Sequence, residues 1–191
     1  MKREDARIIK TKARLLSVFC SMLEERKFED ITIHEICTAA EVRRATFYKH
    51  FSDKYDFLRY FVSKKREDFD LRVNYTKSSY ATVDYYLEYI KGVVNFLLEN
   101  ERIIKQALDS AMLPAIVEIV KEQNYNDTRE RLEQSVNAGM KLSASVEVVS
   151  TMLTGGITHT LVKWFSERTD DEDEEKIISE VCAVVKSLVS V

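Results

Sequence analysis

The feature that most limits the fold of this chain is its shortage of residues that interrupt helices. Its 191 residues include four glycines and one proline. Glycine disfavours a helix interior through backbone entropy, and proline does so through its missing N–H group. The sequence also lacks runs of β-branched residues in strict alternation, which would indicate strands. We therefore predict an all-α fold of about nine helices joined by short loops.

Charge is unevenly distributed along the chain. Residues 1–66 contain sixteen Lys and Arg against ten Asp and Glu, whereas residues 67–191 contain thirteen against twenty-two. A basic segment ahead of an acidic one suggests that the first segment meets a polyanion. Ordinary solvated helix faces would give the same imbalance, so charge alone leaves both interpretations open.

Several classes of protein are disfavoured by the residue patterns. Cys20, Cys37 and Cys182 lie at apolar-periodic positions without a CxxC pair, which favours buried thiols over disulfides or a zinc site. The three histidines lack the spacing of metal ligands. The N-terminus has no signal-peptide core, and no apolar run reaches the length of a membrane span. From these patterns we expect a soluble, intracellular protein that needs no metal or cofactor. No nucleophile–base pair or phosphate-binding loop is present, so we also expect that it is not an enzyme.

The stretch of residues 32–54 predicts two short helices joined by a tight turn. Thr32 and Glu35 have the spacing of a capping box, which is a fairly specific signal for the start of a helix. The predicted elements are a first helix over about 33–40, a turn at Glu41 and Val42, and a second helix over about 43–50. Such a unit is a helix-turn-helix, in which the first helix braces a second helix that enters the DNA major groove.

The second helix of this unit carries side chains suited to DNA. Arg43 and Arg44 stand at its start, and an arginine can donate two hydrogen bonds to guanine. Thr46 offers a methyl and a hydroxyl group to base edges, and the other polar side chains suit phosphates, which set register and affinity. Taken alone, the arginines would be ordinary surface residues, and Tyr48 and His50 would be packing residues. The predicted DNA-contacting residues are Thr32, Arg43, Arg44, Thr46, Tyr48, Lys49, His50 and Lys54.

Helical periodicity covers most of the rest of the chain. The other predicted helices span about 5–26, 54–73, 83–98, 101–110, 114–137, 143–166 and a last helix that begins within 170–175. The polar residues 124–128 could interrupt the fifth of these. The last two helices have small residues or a broad apolar stripe, which favours a four-helix dimer interface over a monomeric core. The interface residues predicted there are Thr151, Gly155, Thr158, Val162, Ile178, Val181, Val185 and Leu188.

Residues 8–58 resemble a known family. A Thr-Phe-Tyr-x-His-Phe-x-x-Lys motif at residues 46–54 stands at a matching distance from the Thr-x-x-Glu cap at 32–35. The stretch is similar to the DNA-binding domain of the tetracycline-repressor (TetR/AcrR) family of bacterial transcriptional regulators. The resemblance implies a homodimeric, cytoplasmic repressor that binds a palindromic double-stranded operator. It also implies a DNA-binding domain over residues 1–53 and a helical domain for ligand binding and dimerisation over residues 54–191.

By the same analogy, the aromatic cluster of Tyr85, Tyr86, Tyr89 and Phe96 is a candidate pocket for a small-molecule effector, although such a cluster is more often core. The alternative function is a helical DNA-binding or protein-interaction module without a ligand-controlled pocket. Lys27 and Glu41 depart from the family pattern, which usually has glycine at both positions. If either backbone has positive φ, the side chain costs on the order of 1 kcal/mol.

Overall fold

The computed structural model of the chain describes residues 6–72, 80–169 and 174–189. These residues form nine α-helices and one 3-10 turn, Phe28–Asp30, with no strand among them. The helices are α1 (Ala6–Glu25), α2 (Ile33–Ala39), α3 (Arg44–Phe47), α4 (Lys54–Arg72), α5 (Val83–Glu99), α6 (Glu101–Leu108), α7 (Leu113–Asn137), α8 (Val146–Glu167) and α9 (Glu174–Val189). The predicted all-α fold is confirmed.

Two helices differ from the periodicity-based expectation. Helix α3 ends at Phe47, because the N–H groups of Lys49 and His50 donate to carbonyls three residues earlier and tighten the chain into turns. Helix α7 continues without a break through residues 124–128. The polar residues do not break the helix there, and one of them, Asn124, is buried in the interior. The predicted acidic start of the last helix lies partly outside the described residues, and α9 begins at Glu174.

The chain divides by its contacts into two compact units. The first contains the residues up to Lys65 together with Asn100–Ile116, and the second contains Arg66–Glu99 and the residues from Val117 onward. The sequence-based boundary between residues 53 and 54 concerned function and stays a prediction. No helix in the described part of the chain is both long and apolar enough to cross a membrane.

The core of the first unit is aromatic. Phe19 packs edge-on against Phe61, and Phe47 packs edge-on against Phe57, with ring centroids 5.2 and 5.4 Å apart. Helix α6 packs against α1, and Met112 in the corner between α6 and α7 also contacts this core. Burial of large rings in this way contributes more to stability than the intrinsic propensity of helices as short as α2 and α3.

The second unit is built around α5, which packs against α9 and, to a lesser extent, α8. Helix α9 contributes Val181, Val185 and Val189, a four-residue repeat that puts one apolar stripe into the interior. Helix α8 contributes eight buried residues, including Trp164 and Phe165 near its end. Helices α8 and α9 therefore bury much of their apolar surface inside the protomer.

Candidate nucleic-acid interface

A complete capping box starts the brace helix α2. The hydroxyl oxygen of Thr32 accepts the backbone N–H of Glu35 at 3.2 Å, and the Glu35 carboxylate accepts the backbone N–H of Thr32 at 2.8 Å. The Thr32 hydroxyl also donates to the same carboxylate at 2.6 Å. These bonds satisfy N–H groups that have no partner within the helix, so the start of α2 is fixed by two side chains.

Arg26 extends this cap to helix α1 and the following turn. Its guanidinium donates to the Glu35 carboxylate at 2.8 Å and to the carbonyl of Asp30 at 2.9 Å. The bond from Arg26, followed by those from the Thr32 hydroxyl and N–H, lowers the pKa of Glu35 to about 2. Glu35 therefore stays ionised across the physiological range, which keeps the cap intact.

The turn between α2 and α3 contains a residue in the left-handed region. Glu41 has φ of 53°, the only positive φ at a non-glycine position in the described residues. Its carboxylate accepts a hydrogen bond from Arg14 of α1 at 2.6 Å. Lys27, the other position where the family has glycine, has an ordinary φ of −67°. The departure from the family pattern thus costs backbone strain at one of the two positions.

Helix α3 is oriented by its aromatic side chains. Phe47 is fully buried and Phe51 is 4% exposed, while Tyr48 remains 47% exposed and packs its ring edge-on against Phe47 at 5.5 Å. Because Phe47 and Phe51 hold one side of this segment in the core, the residues between them and before them are directed outward. Arg43 is the N-cap residue of α3 and has an extended backbone.

The predicted DNA-contacting residues differ in solvent exposure and in their contacts within the protein. Thr32, Arg43, Arg44, Tyr48 and Lys49 are exposed, whereas Thr46, His50 and Lys54 are half-buried. The side chains of Arg43 and Lys49 make no hydrogen bond or ion pair with any other described residue. The guanidinium of Arg44 lies 6.0 Å from the centre of the Tyr48 ring. Most of this set therefore forms an outward-facing polar surface around the start of α3.

Lys54 has a different environment from the rest of that set. Its ammonium donates to the carbonyls of Phe28 and Ile31, each at 2.8 Å, and lies 4.2 Å from the centre of the Phe28 ring. Burial lowers the pKa of Lys54, although nearby carboxylates, led by Glu29, oppose that shift. A phosphate contact by Lys54 would require these bonds to break. The two carbonyls therefore compete with a phosphate for the Lys54 ammonium.

The arrangement suits recognition of a polyanion more than any catalytic task. Exposed arginines at the start of a short helix can reach base edges in a major groove, and a flanking lysine and tyrosine can contact phosphates. Among the described residues, no group of three or more His, Cys, Asp or Glu could hold a metal ion.

Comparisons with known proteins agree with this geometry. Residues 15–61 match the family model for bacterial regulatory proteins of the tetR family. This segment of the chain is therefore similar to the N-terminal domain of tetR-family regulators. Family members and the related structures are transcriptional regulators rather than enzymes, and the matched domain is a DNA-binding helix-turn-helix.

The proteins similar to this chain share sequence with its N-terminal segment and share its overall fold. An uncharacterised helix-turn-helix regulator of Bacillus subtilis, YxbF, is 33% identical over 64 residues, which are 33% of this chain and 17% of that protein. The chain thus spans about a sixth of that relative's length. A TetR-family structure from Rhodococcus sp. has a TM-score of 0.73 at 12% identity, covering 95% of this chain and all of the other.

A structure of the fatty acid degradation regulator FadR from Bacillus halodurans is similar in fold, with a TM-score of 0.67 at 16% identity. The match covers 91% of this chain and 96% of that one. At such identities, the likeness shows the fold alone.

A small cavity in the second unit contains three of the four predicted pocket residues. Tyr85, Tyr86 and Tyr89 line it, whereas Phe96 instead packs edge-on against Phe69 at 5.8 Å. The remaining lining residues are Arg66, Asn124, Asp127, Thr128, Leu153, Thr154, Ile157 and Thr158. The cavity has room for roughly one water-sized sphere.

The polar lining of this cavity is mostly occupied by internal bonds. Arg66 donates to Asp70 at 2.8 Å, to Asp127 at 2.6 Å and also to Asn124. Burial raises the pKa of Tyr85, despite the neighbouring guanidinium of Arg131, which lies 4.3 Å from the centre of that ring. The tyrosines are therefore neutral hydroxyl groups at physiological pH, and the Arg66 charge is compensated by two carboxylates.

The predicted interface residues divide between the interior and the surface. Val181 and Val185 are buried within the protomer, and Thr158 lines the cavity. Gly155, Val162, Ile178 and Leu188 are half-buried, and Thr151 is exposed. The most exposed large apolar side chains on α8 and α9 are Val148, Met152 and Val184, at 47%, 56% and 62%. Sequence periodicity identified the apolar stripe of α9 but not the side of the helix that remains uncovered.

Two other features are absent from the sequence prediction, and only the first has a signal in the sequence. The polar stretch 124–128 within α7 was interpreted as a possible helix break, yet polar residues inside a long amphipathic helix also mark a polar cavity wall. Ser110 and Glu29 form a contact described below, and nothing in their spacing could have paired two residues 81 positions apart.

Proposed function

We propose that this protein is a dimeric repressor that binds a palindromic DNA operator through the exposed surface around α3. The observation that carries the proposal is the pair of unpartnered cations, Arg43 and Lys49, that flank α3 in the described part of the chain. A cation without a protein partner can bind a base or a phosphate without first breaking a contact inside the protein. Arg44 and Tyr48, stacked on the same segment, extend the surface.

The dimeric state is supported by two arguments. A single helix-turn-helix reads few base pairs, and two half-sites about one turn apart, roughly 34–36 Å, give useful specificity. The exposed Val148 and Met152 of α8 and Val184 of α9 supply apolar side chains that a second copy would cover. Thr151, between the two exposed residues of α8, belongs to the same helix segment. The predicted cytoplasmic location accords with this proposal.

Control by a small ligand would act through the cavity of the second unit. The cavity beside Tyr85, Tyr86 and Tyr89 has the aromatic and polar lining of a ligand site. Its small size favours the second candidate function, a DNA-binding module without a ligand-controlled pocket. An effector would have to be small and uncharged, because the Arg66 charge is already neutralised, and it would have to open the cavity on binding.

The test begins with selection of bound duplexes from random DNA by the purified protein. Binding of the enriched duplex is then titrated at several salt concentrations, and the mass of the complex is measured by analytical ultracentrifugation. We expect two protomers on each duplex and an affinity that falls steeply with salt, because released counterions drive phosphate binding. A single protomer on each duplex would contradict the dimer, and failure to enrich any sequence would favour a protein-interaction role.

A thermal-shift screen of small metabolites separates the two candidate functions. A ligand that stabilises the protein and weakens binding to the selected duplex supports effector control. If no compound does both, and filling the cavity by Thr154→Ile leaves DNA binding unchanged, the module without a ligand-controlled pocket is the better account.

A further inference from the structure

The turn that precedes the brace helix is linked to the corner between α6 and α7. The carboxylate of Glu29, within the 3-10 turn, accepts a hydrogen bond from the hydroxyl of Ser110 at 2.8 Å. Ser110 is 7% exposed, and its hydroxyl oxygen also accepts the backbone N–H of Met112 at 3.0 Å. The carboxylate therefore lies at the start of α7, where helix N–H groups lack partners and the helix dipole favours negative charge.

The protonation of Glu29 is consistent with this contact. Partial desolvation acts to raise the pKa of Glu29, but hydrogen bonds outweigh it and lower that pKa overall. They come from its own backbone N–H, from the Ser110 hydroxyl and from the N–H groups of Ala111 and Met112. The group that meets the corner is thus a carboxylate at physiological pH.

Several backbone carbonyls of the 3-10 turn and of the residue after it are held by side chains of α1 and α4. Lys54 of α4 donates to the carbonyls of Phe28 and Ile31, and Arg26 of α1 donates to the carbonyl of Asp30. The next residue is Thr32, whose side chain caps α2. A displacement of Glu29 is consequently transmitted within three residues to the start of the brace helix.

We propose that Glu29 is a positioning residue for DNA binding, which holds the start of the brace helix to the start of α7 through Ser110. The inference rests on the proposed function. Its consequence is a specific route for regulation, since α7 also carries Asn124 and Asp127, which bind Arg66 beside the cavity. A change in α7 that separates Ser110 from Glu29 releases the brace helix and weakens operator binding.

The experiment uses the full-length chain and the duplex selected with the wild-type protein. The variants are Ser110→Ala, which removes the hydroxyl without changing charge, Glu29→Ala, and the double variant. Asp30→Ala is the matched control, because it removes the same charge from the adjacent position of the same turn. Glu29→Gln tests rescue, since it keeps an oxygen that can accept the Ser110 hydroxyl. Affinities are measured well below the lowest melting temperature of the set.

We expect Ser110→Ala and Glu29→Ala each to weaken duplex binding by about three- to tenfold. The double variant should bind the duplex no less tightly than the single variant with the lower affinity. Glu29→Gln should lose less than Glu29→Ala. If Glu29 acts only as a surface charge, its removal and that of Asp30 will both strengthen binding slightly, and Ser110→Ala will have no effect. That outcome, or additive losses in the double variant, overturns the inference.

The inference and the proposed function fail in different ways. If the wild-type protein enriches no duplex, the proposed function is wrong. If the wild type enriches a duplex and Ser110→Ala binds it with unchanged affinity, only the positioning role is wrong. Amide hydrogen exchange at residues 33–36 gives an independent readout, and we expect it to be faster in Ser110→Ala than in the wild type.

Discussion

Arg43 of the first unit and Arg66 of the second unit have opposite environments. In the first unit, Arg43 stands exposed beside α3, and its side chain makes no hydrogen bond or ion pair with the other described residues. In the second unit, the side chain of Arg66 is only 16% exposed and is paired with Asp70 and Asp127. The same residue type is available to an external anion in one unit and committed to the fold in the other.

This difference teaches how to separate binding charges from structural charges. An exposed, unpaired arginine adds little to stability, because water solvates it as well in the unfolded chain. A largely buried arginine has lost that solvation and depends on its partners, so its removal leaves them without compensation. Substitution of the exposed arginines beside α3 should therefore change the affinity for DNA, and substitution of Arg66 should change the free energy of unfolding.

The largest effect is expected for Arg66→Ala. It leaves Asp127 and Asn124 at the cavity without their donor, and we expect the free energy of unfolding to fall by about 2–3 kcal/mol, less than for a fully buried pair because Asp127 is half exposed. Urea denaturation followed by circular dichroism measures it. Arg102→Ala, an exposed position on α6, is the control and should change that energy by less than about 0.5 kcal/mol. Equal effects of the two substitutions would remove the contrast between the units.

The next effect concerns Arg44 in the first unit. Arg44→Ala should weaken binding to the selected duplex by about 1–3 kcal/mol and relax base choice at one position of each half-site. Its melting temperature should remain close to that of the wild type, because the side chain is exposed. Fluorescence anisotropy with matched and mismatched duplexes measures both quantities, and Arg102→Ala again serves as the control. Uniform weakening across all duplexes would reassign Arg44 to a phosphate.

A smaller effect is expected at Glu41, where the turn is strained. Glu41→Gly removes the cost of a side chain at φ of 53° and should stabilise the protein by up to about 1 kcal/mol relative to Glu41→Ala. The alanine variant keeps the strain and loses only the exposed ion pair with Arg14, so it should differ little from the wild type. Thermal unfolding of the three proteins compares these terms. A glycine variant less stable than the alanine variant would show that the turn favours a side chain here.

The smallest effect is a pH dependence from Glu35. Its pKa is about 2 in the folded state against an ordinary value of 4.5, so its stabilising contribution is complete above about pH 4.5 and is lost as the pH falls toward 2. Glu35→Gln should therefore be less stable than the wild type at pH 7, and the difference should shrink between pH 4.5 and pH 2. Thermal unfolding across that range tests the sign, and a difference that is constant with pH would contradict it.

Features formed by residues close together in the sequence could be predicted, whereas features formed by residues far apart in the sequence could not. The cap of Thr32 and Glu35, and the inward orientation of Phe47 and Phe51, follow from local spacing, and the structure has both. The cavity could be predicted only in part, because Tyr85 and Tyr89 meet Arg66 and Asn124 from other helices.

Other features are not encoded locally. Periodicity predicts Val181 and Val185 at a dimer interface, and both are buried within the protomer. An apolar stripe does not say which partner covers it, so the interface stays a prediction. The inward bonds of Lys54 were also missed, since a lysine in a DNA-binding motif has the same sequence signature whether it contacts a phosphate or a carbonyl.

The central claim is that the surface around α3 reads DNA as one half of a dimer. Its most direct test is parallel selection from random duplex DNA with the wild-type protein and an Arg43→Ala, Arg44→Ala double variant. The account predicts a palindrome with half-sites about one helical turn apart for the wild type and no enriched palindrome for the variant. Enrichment of the same palindrome by both proteins would contradict it.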